Sequence, residues 1–226
     1  EVIALPVFMG GLFCWAVAHA LGGEGTAMLG ALTVLACLAL WVCTAMIYAS
    51  VRFLQEWASS FTLVNYILLG LASGFTLATA LAAFGAGELV PGFGTGALLF
   101  TLAGGISRLL SLQRNARLKP KSTLQSAIGI RHPKIAQRSM GFMGGSFNTR
   151  EFFHGRAPGT LRQVKWWFLL GAFAAPLLLV GVGLASGSAL LLAAAAVIQY
   201  LGLLAERWFF FAQANHPQNL YYQTVS

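Results

Sequence analysis

Charged residues fall at wide intervals along the first half of the chain, and the stretches between them are almost wholly apolar. VIALPVFMGGLFCWAVAHALGG lies between Glu1 and Glu24, and a run centred on LTVLACLALWVCTAMIYA lies between Glu24 and Arg52. Between Glu56 and Glu88 the apolar run extends from about Phe61 to Phe84, and after Glu88 a PGFGTG entry leads into a run from about Gly96 to Leu112. A helix crosses the hydrocarbon core with about 20 mostly apolar residues, so each run predicts one span. No charge occurs between Lys165 and Glu206, which is too long for one helix and suits two, divided at ASGSA, Ala185 to Ala189. The pattern predicts an all-α polytopic transmembrane bundle of six spans, because strands crossing lipid must close a barrel and show alternation in short segments instead.

Six spans fix a parity. The start of the chain, the segment from Arg52 to Ser60, the long polar interval and the C-terminal tail share one side of the membrane. The other side holds turns around Gly22 to Thr26, Gly85 to Phe93 and Ala185 to Ser188. The organisation is therefore four transmembrane helices in 1–112, a basic extramembrane loop in 113–163 that docks a partner, and two helices with a short tail in 164–226. Partners must bind where the polar groups are, on the face of the loop and tail.

Composition supports the membrane reading. Hydrophobic residues make up 58% of the chain and charged ones 9%, where a soluble domain carries about 25% charged; the mean hydropathy is +0.74. The net charge of +8 is concentrated: the interval from Arg108 to Lys165 holds twelve of the fourteen basic residues and one acid, Glu151, which sets it at +11. A basic isoelectric point can indicate nucleic-acid binding, but here it belongs to one interval, and nucleic acid is not expected as a partner. Attraction to anionic lipid headgroups accounts for part of that charge.

Candidate chemistry is sparse. There is no Asp in the chain, and no HExxH, CxxC, phosphate-cradling glycine loop or Ser, His, Asp arrangement. Cys14, Cys37 and Cys43 sit in apolar runs and read as free thiols. Of the four histidines only His19 lies in a span, too few for the two axial ligands of a haem, and it reads as interfacial. Ionisable groups at span ends are more informative, because charge beside hydrocarbon is costly and marks ligand or proton pathways. On the polar face these are Glu1, Arg52, Glu56, Glu206 and Arg207. Arg52 and Glu56, four apart, are spaced to pair on a helical turn. The loop has a basic half broken by prolines and a glycine-rich aromatic half, SMGFMGGSFNTREFFHGRAPG, in which Asn148 and Glu151 have the spacing of a helix cap. Headgroup attraction does not explain the aromatic half; a folded docking loop does. Gly70 and Gly74 have the small-xxx-small spacing of close helix packing, and Trp57, Trp166, Trp167 and Trp208 lie at span ends, as aromatic belts require.

MIYASVRFLQEW with FTLVNYILLGLASGFTLATA, FMGGSFNTREFFHG, and LLAERWFFFAQANHPQNLYYQTVS resemble the membrane anchor subunits of dimethyl sulfoxide reductase and related molybdoenzymes. The resemblance covers most of the chain. It implies an eight-span anchor whose first two helices would precede Glu1, embedded in a bacterial cytoplasmic (inner) membrane and serving anaerobic respiration. It also implies two partners, an iron-sulfur electron-transfer subunit and a molybdopterin catalytic subunit, besides membrane lipid. The activity implied is oxidation of menaquinol or ubiquinol, with no haem and no metal in this chain. In such anchors a glutamate at the start of the third span is linked to quinol oxidation, and Glu1, in EVIA, is the matching position.

The expected quinone-binding residues are thus Glu1, Arg52, Glu56 and Arg207, and the expected docking residues are Asn148, Arg150, Glu151, His154, Arg156 and His216. In this reading Glu1 accepts a quinol proton and Arg52 or Arg207 orients the quinone oxygen. The positive-inside rule places the +11 interval in the cytoplasm, whereas the resemblance implies both termini and the catalytic dimer outside, so the reading rests on parity alone. Two rivals remain, a scaffold anchor that binds no quinone and a small-solute transporter. The second would show an inverted repeat with broken helices, and no clear repeat is seen.

Overall fold

The computed structural model describes residues 1–119, 121, 123–135 and 158–214, and among these there is helix and no strand. The helices are α1 (Ala4–Ala20), α2 (Thr26–Ala49), α3 (Ser60–Gly85), α4 (Val90–Ala116), the short α5 (Leu124–Ile128), α6 (Pro158–Leu169), α7 (Ala175–Ser186) and α8 (Ala189–Ala212). A π-helical turn at Leu170–Ala174 makes α6 and α7 one continuous span, and a 3-10 turn at Gly87–Leu89 leads into α4. Five of these runs are long and apolar enough to cross a membrane, α6 and α7 together counting as one. The sixth, α1, has 17 residues and reaches about 26 Å, just short of a core roughly 30 Å thick.

The helix ends follow local chemistry. Ser59 and Ser188 cap α3 and α8, their side chains accepting from the backbone N–H groups of Phe61 and Leu191. Gly187 takes the left-handed conformation that ends α7, inside the predicted ASGSA break. Two boundaries differ from expectation. The PGFGTG stretch is helix rather than an entry turn: α4 starts at Val90 with Pro91 in its first turn, where a missing N–H costs nothing. Its glycines serve packing, since a Cβ on Gly94 or Gly96 would lie 2.6 Å from the side chains of Leu184 and Phe75. The fifth span starts at Pro158, well before Lys165, again with proline leading.

Four spans close into a ring: α3 lies beside α4, α4 beside α7, the α6–α7 span beside α8, and α8 beside α3. Consequently α4 and α8 face each other across the axis. The α1–α2 hairpin attaches to this ring through α2 against α3, and no residue of α1 is buried. Leu69, Phe168, Ala172, Phe173 and Phe209 fill the ring towards its polar end, and Ala97, Val180, Leu192 and Ala195 towards the other. Gly70 receives the Trp41 ring of α2, while Gly74 meets nothing, so only the first of that predicted pair has a packing role. At Gly202 the backbones of α8 and the π-helical turn come so close that a Cβ would meet the backbone of Gly171 and Ala172.

The distribution of polarity is that of a membrane bundle. Leu77, Leu81, Leu99, Leu102, Leu178, Val182, Val197 and Leu201 are exposed, whereas Thr62, Asn65, Thr76, Thr79, Thr101, Ser107, Arg108, Ser111, Gln199 and Glu206 are buried. Lipid accepts the apolar groups on the outside, and the polar groups find hydrogen-bond partners only inside the ring.

Candidate functional site

Six buried residues of α4 recur at heptad spacing, Gly94, Ala97, Thr101, Gly104, Arg108 and Ser111, with Gly105 and Ser107 beside them, and six of α8 do likewise, Leu192, Ala195, Gln199, Gly202, Glu206 and Phe209, with Phe210 and Ala212 beyond. Positions three and four apart lie on one helix face, so each helix presents a single stripe to the axis. Small residues, which make up most of the α4 stripe and alternate with Gln199 and Glu206 as Ala195 and Gly202 in that of α8, leave room for long polar side chains to cross the ring. Gln199 meets Thr101 in one layer, its Nε2 donating to the Thr101 hydroxyl at 3.1 Å. One heptad further towards the polar end, Arg108 meets Glu206.

The lower layer also repairs the backbone. Pro176 has no N–H to offer the carbonyl four residues back, and Gln199 Nε2 donates to that carbonyl, Ala172 O, at 3.3 Å. Ala172 lies in the middle of the π-helical turn, so the irregular stretch of the fifth span is held by a side chain from α8.

The upper layer is a charge cluster. Arg108 is 2% exposed and Glu206 0%. Arg108 Nε lies 2.7 Å from Glu206 Oε1, close but not aligned as a hydrogen bond, so the contact is an ion pair. On the other carboxylate oxygen, Oε2, Arg207 closes a fork with Nε at 2.7 Å and Nη2 at 2.6 Å. Arg108 Nη1 donates to Ser111 Oγ at 3.4 Å, and its guanidinium faces the Phe168 and Phe209 rings at 5.5 and 6.0 Å. Beside it the Ser107 hydroxyl donates to Asn65 Oδ1 at 2.7 Å. Two guanidinium groups share one carboxylate, which leaves a net charge of +1 at the ring axis. Arg108 Nη2 and Arg207 Nη1 have no hydrogen-bond partner among the described residues.

Arg207 leads from the axis to an aromatic group at the rim. Its guanidinium lies 4.5 Å from the centre of the Tyr66 ring and 4.8 Å from that of Phe210. Tyr66 stacks on Tyr48 of α2, Trp57 stacks on Phe210 at 5.2 Å, and Trp57 Nε1 donates to Phe210 O at 3.0 Å. The segment between α2 and α3 is thereby fixed against the end of α8. Arg114 holds it from a third side, donating to Gln55 O from both terminal nitrogens at 3.1 Å.

The residues expected to bind quinone are placed unequally. Arg207 belongs to the cluster, with its side chain 30% exposed. Glu1 is exposed and accepts from Thr44 Oγ1 at 3.0 Å, one helical turn before Tyr48, which joins it to the aromatic group through α2. Arg52 is exposed and Glu56 half-buried in a run of turns, so the helical i, i+4 geometry that would pair them is not formed. Asn148, Arg150, Glu151, His154, Arg156 and His216, the expected docking residues, lie outside the described residues. His19 stacks on Trp15 near the far end of α1. The charge of the basic interval is divided: Arg108 points into the ring and Arg114 into the rim, while Arg117, Lys119, Lys121, Arg131, Lys134 and Arg162 are exposed.

Sequence reasoning missed Arg108 as a site residue. The signal that finds it is its place in the stripe of small residues, where a charge must meet a partner of opposite sign.

The family described as DMSO reductase anchor subunit (DmsC) matches residues 7–130. The chain is similar to a subunit of sulfite dehydrogenase from Allochromatium vinosum, 50% identical over 239 aligned residues that cover 100% of this chain and 74% of the relative. No solved structure matches the chain.

Proposed function

As this chain belongs to the DMSO reductase anchor subunit family, we propose that it holds a molybdoenzyme at the membrane and exchanges electrons with membrane quinone beside Arg207. The observation that carries the reading is the state of Arg207. Glu206 fixes the guanidinium along its Nε and Nη2 edge, and Nη1, buried against the aromatic rim where the Tyr66 side chain also interacts with Arg207, has no hydrogen-bond partner among the described residues. A quinone oxygen needs a held donor of that kind, and its ring needs flat apolar walls. Quinol oxidation releases two protons and two electrons. Glu1, exposed on the same face, is the proton acceptor in this reading, Arg207 orients the oxygen, and Arg52 and Glu56 flank the entrance. The electrons pass to an iron-sulfur subunit docked on the basic loop and tail, and from there to a molybdopterin subunit. The quinone is menaquinol or ubiquinol, the membrane is a bacterial inner membrane, and the setting is anaerobic respiration.

The 50% identity to a protein named for sulfite dehydrogenation supports a second reading, in which electrons run the other way. A partner that oxidises sulfite yields two electrons, so the same site would reduce quinone, and Glu1 would return a proton to the oxygen held by Arg207. Both directions use the same residues, as the reversibility of a proton-coupled step requires.

The test is Glu1→Gln in the assembled complex, with turnover followed in both directions, from quinol to dimethyl sulfoxide and from sulfite to a quinone analogue. The expected outcome is a loss of at least about tenfold in the quinone-linked rate, with turnover by an artificial redox dye retained. Normal quinone-linked turnover in both directions removes Glu1 from the site. A wild-type complex that contains molybdenum and iron but neither binds nor turns over quinone leaves a scaffold anchor.

A further inference from the structure

Arg108 is enclosed, and among the described residues the rings it faces are Phe168 and Phe209 inside the bundle rather than those of the rim, so its charge is kept inside the ring at high cost. A neutral Glu206–Arg207 pair would suffice to fix Arg207, because Glu206 Oε2 already receives both of its nitrogens. Packing alone would be met by a leucine or methionine, since an enclosed ion pair is commonly no more stabilising than apolar residues of similar volume. What Arg108 adds that such a residue would not is charge. It turns a neutral pair into a cluster of +1, a few ångströms behind the guanidinium whose free Nη1 marks the proposed ligand position.

We infer that Arg108 is a positioning residue for the redox step, holding Glu206 from behind and supplying the positive charge, in excess among the described residues, that stabilises the anionic quinone oxygen at Arg207 through which both oxidation of quinol and reduction of quinone pass. The inference rests on the proposed quinone site. A neutral quinone or quinol gains little from a charge it does not touch, whereas an oxygen that has lost its proton before its electron, or taken up an electron before its proton, gains much more, because the surroundings have low dielectric and are already oriented. The effect therefore falls on turnover and on the reduction potential of the bound quinone, and hardly on its binding. No atom of Arg108 is transferred and no bond to it forms. The electrons come from the docked redox partner or return to it, and the protons go to or come from Glu1.

The experiment compares Arg108→Gln and Arg108→Lys in the whole complex, with quinone-linked rates normalised to dye-linked turnover of the same preparation. Gln removes the charge; Lys keeps it with altered hydrogen bonding. The expected result for Gln is a kcat about tenfold lower with KM for the quinone analogue within about twofold, and a bound quinone that is harder to reduce in a redox titration. For Lys, kcat within about threefold of wild type is expected. Unchanged kcat in Gln, or a rise in KM without a fall in kcat, overturns the inference. Should Gln fail to assemble, Arg108→Met, which removes the charge at similar volume, takes its place with the same expected and overturning results, and a fall of about tenfold in kcat for Lys, with the charge retained, contradicts the role of charge. Absence of quinone turnover in the wild-type complex is a failure of the quinone site itself and is visible before any variant is made.

Discussion

The α1–α2 hairpin and the ring of α3, α4, α6–α7 and α8 are built from comparably apolar sequence, yet they differ in what they hold. In the hairpin nothing of α1 is buried, and only Thr33 and Ala45 of α2 are. The Thr33 hydroxyl donates to the carbonyl four residues back in its own helix. In the ring, Thr101, Asn65, Ser107, Gln199, Arg108 and Glu206 are buried and bonded between helices. Hydrophobicity thus identifies what crosses the membrane, and the positions of the few polar residues identify what packs and what works. Inside lipid an apolar contact replaces one with an acyl chain and gains little; a hydroxyl can turn back to its own helix, as those of Thr33 and Thr76 do, whereas an amide or charged side chain is satisfied where another helix meets it.

The comparison can be broken most severely at Glu206. Glu206→Leu leaves Arg108 and Arg207 without their shared acid, and a loss of about 3–5 kcal/mol is expected, read as failure of the detergent-solubilised complex to survive purification. Glu24→Gln, at the exposed turn of the hairpin, is expected to leave assembly unaltered. Equal tolerance of both changes would mean that the ring does not depend on its buried charge.

A smaller effect is expected from glycines. A Cβ on Gly202 runs into the backbone at Gly171 and Ala172, which cannot yield as a side chain tip does, whereas one on Gly10 of the hairpin meets open space. Gly202→Ala is expected to cost about 1–3 kcal/mol and to lower the thermal inactivation midpoint. Gly10→Ala should leave the midpoint unchanged or slightly raised, as alanine is the better helix former. A lowered midpoint for Gly10→Ala would show that the hairpin carries packing of its own.

Most of the fold was legible, because uncharged runs and span length are strong signals. The errors arose where PGFGTG was read as an entry and where charge was read as the end of a span. Pro91 instead opens a helix, Gly94 and Gly96 make room for Leu184 and Phe75, and α6 begins at Pro158, ahead of Arg162 and Lys165. The site was legible in part. Glu206 and Arg207 were visible as charges at a span end, and Glu1 lies on the same polar face. Arg108 was counted with the loop, since a tally of charge along the chain cannot distinguish a guanidinium that faces water from one that faces the axis. Its heptad relation to Thr101, matched by that of Glu206 to Gln199, carries that information, and it emerges only when two helices are compared.

The central claim, that quinone binds at the polar end beside Arg207, is tested most directly by photolabelling the assembled complex with a photoreactive quinone analogue and mapping the labelled peptides. The account predicts labels on the start of α3 and the end of α8, around Tyr66 and Phe210, that excess quinol displaces. Displaceable labels confined to the opposite turns, around Gly22, Gly87 or Gly187, would contradict it.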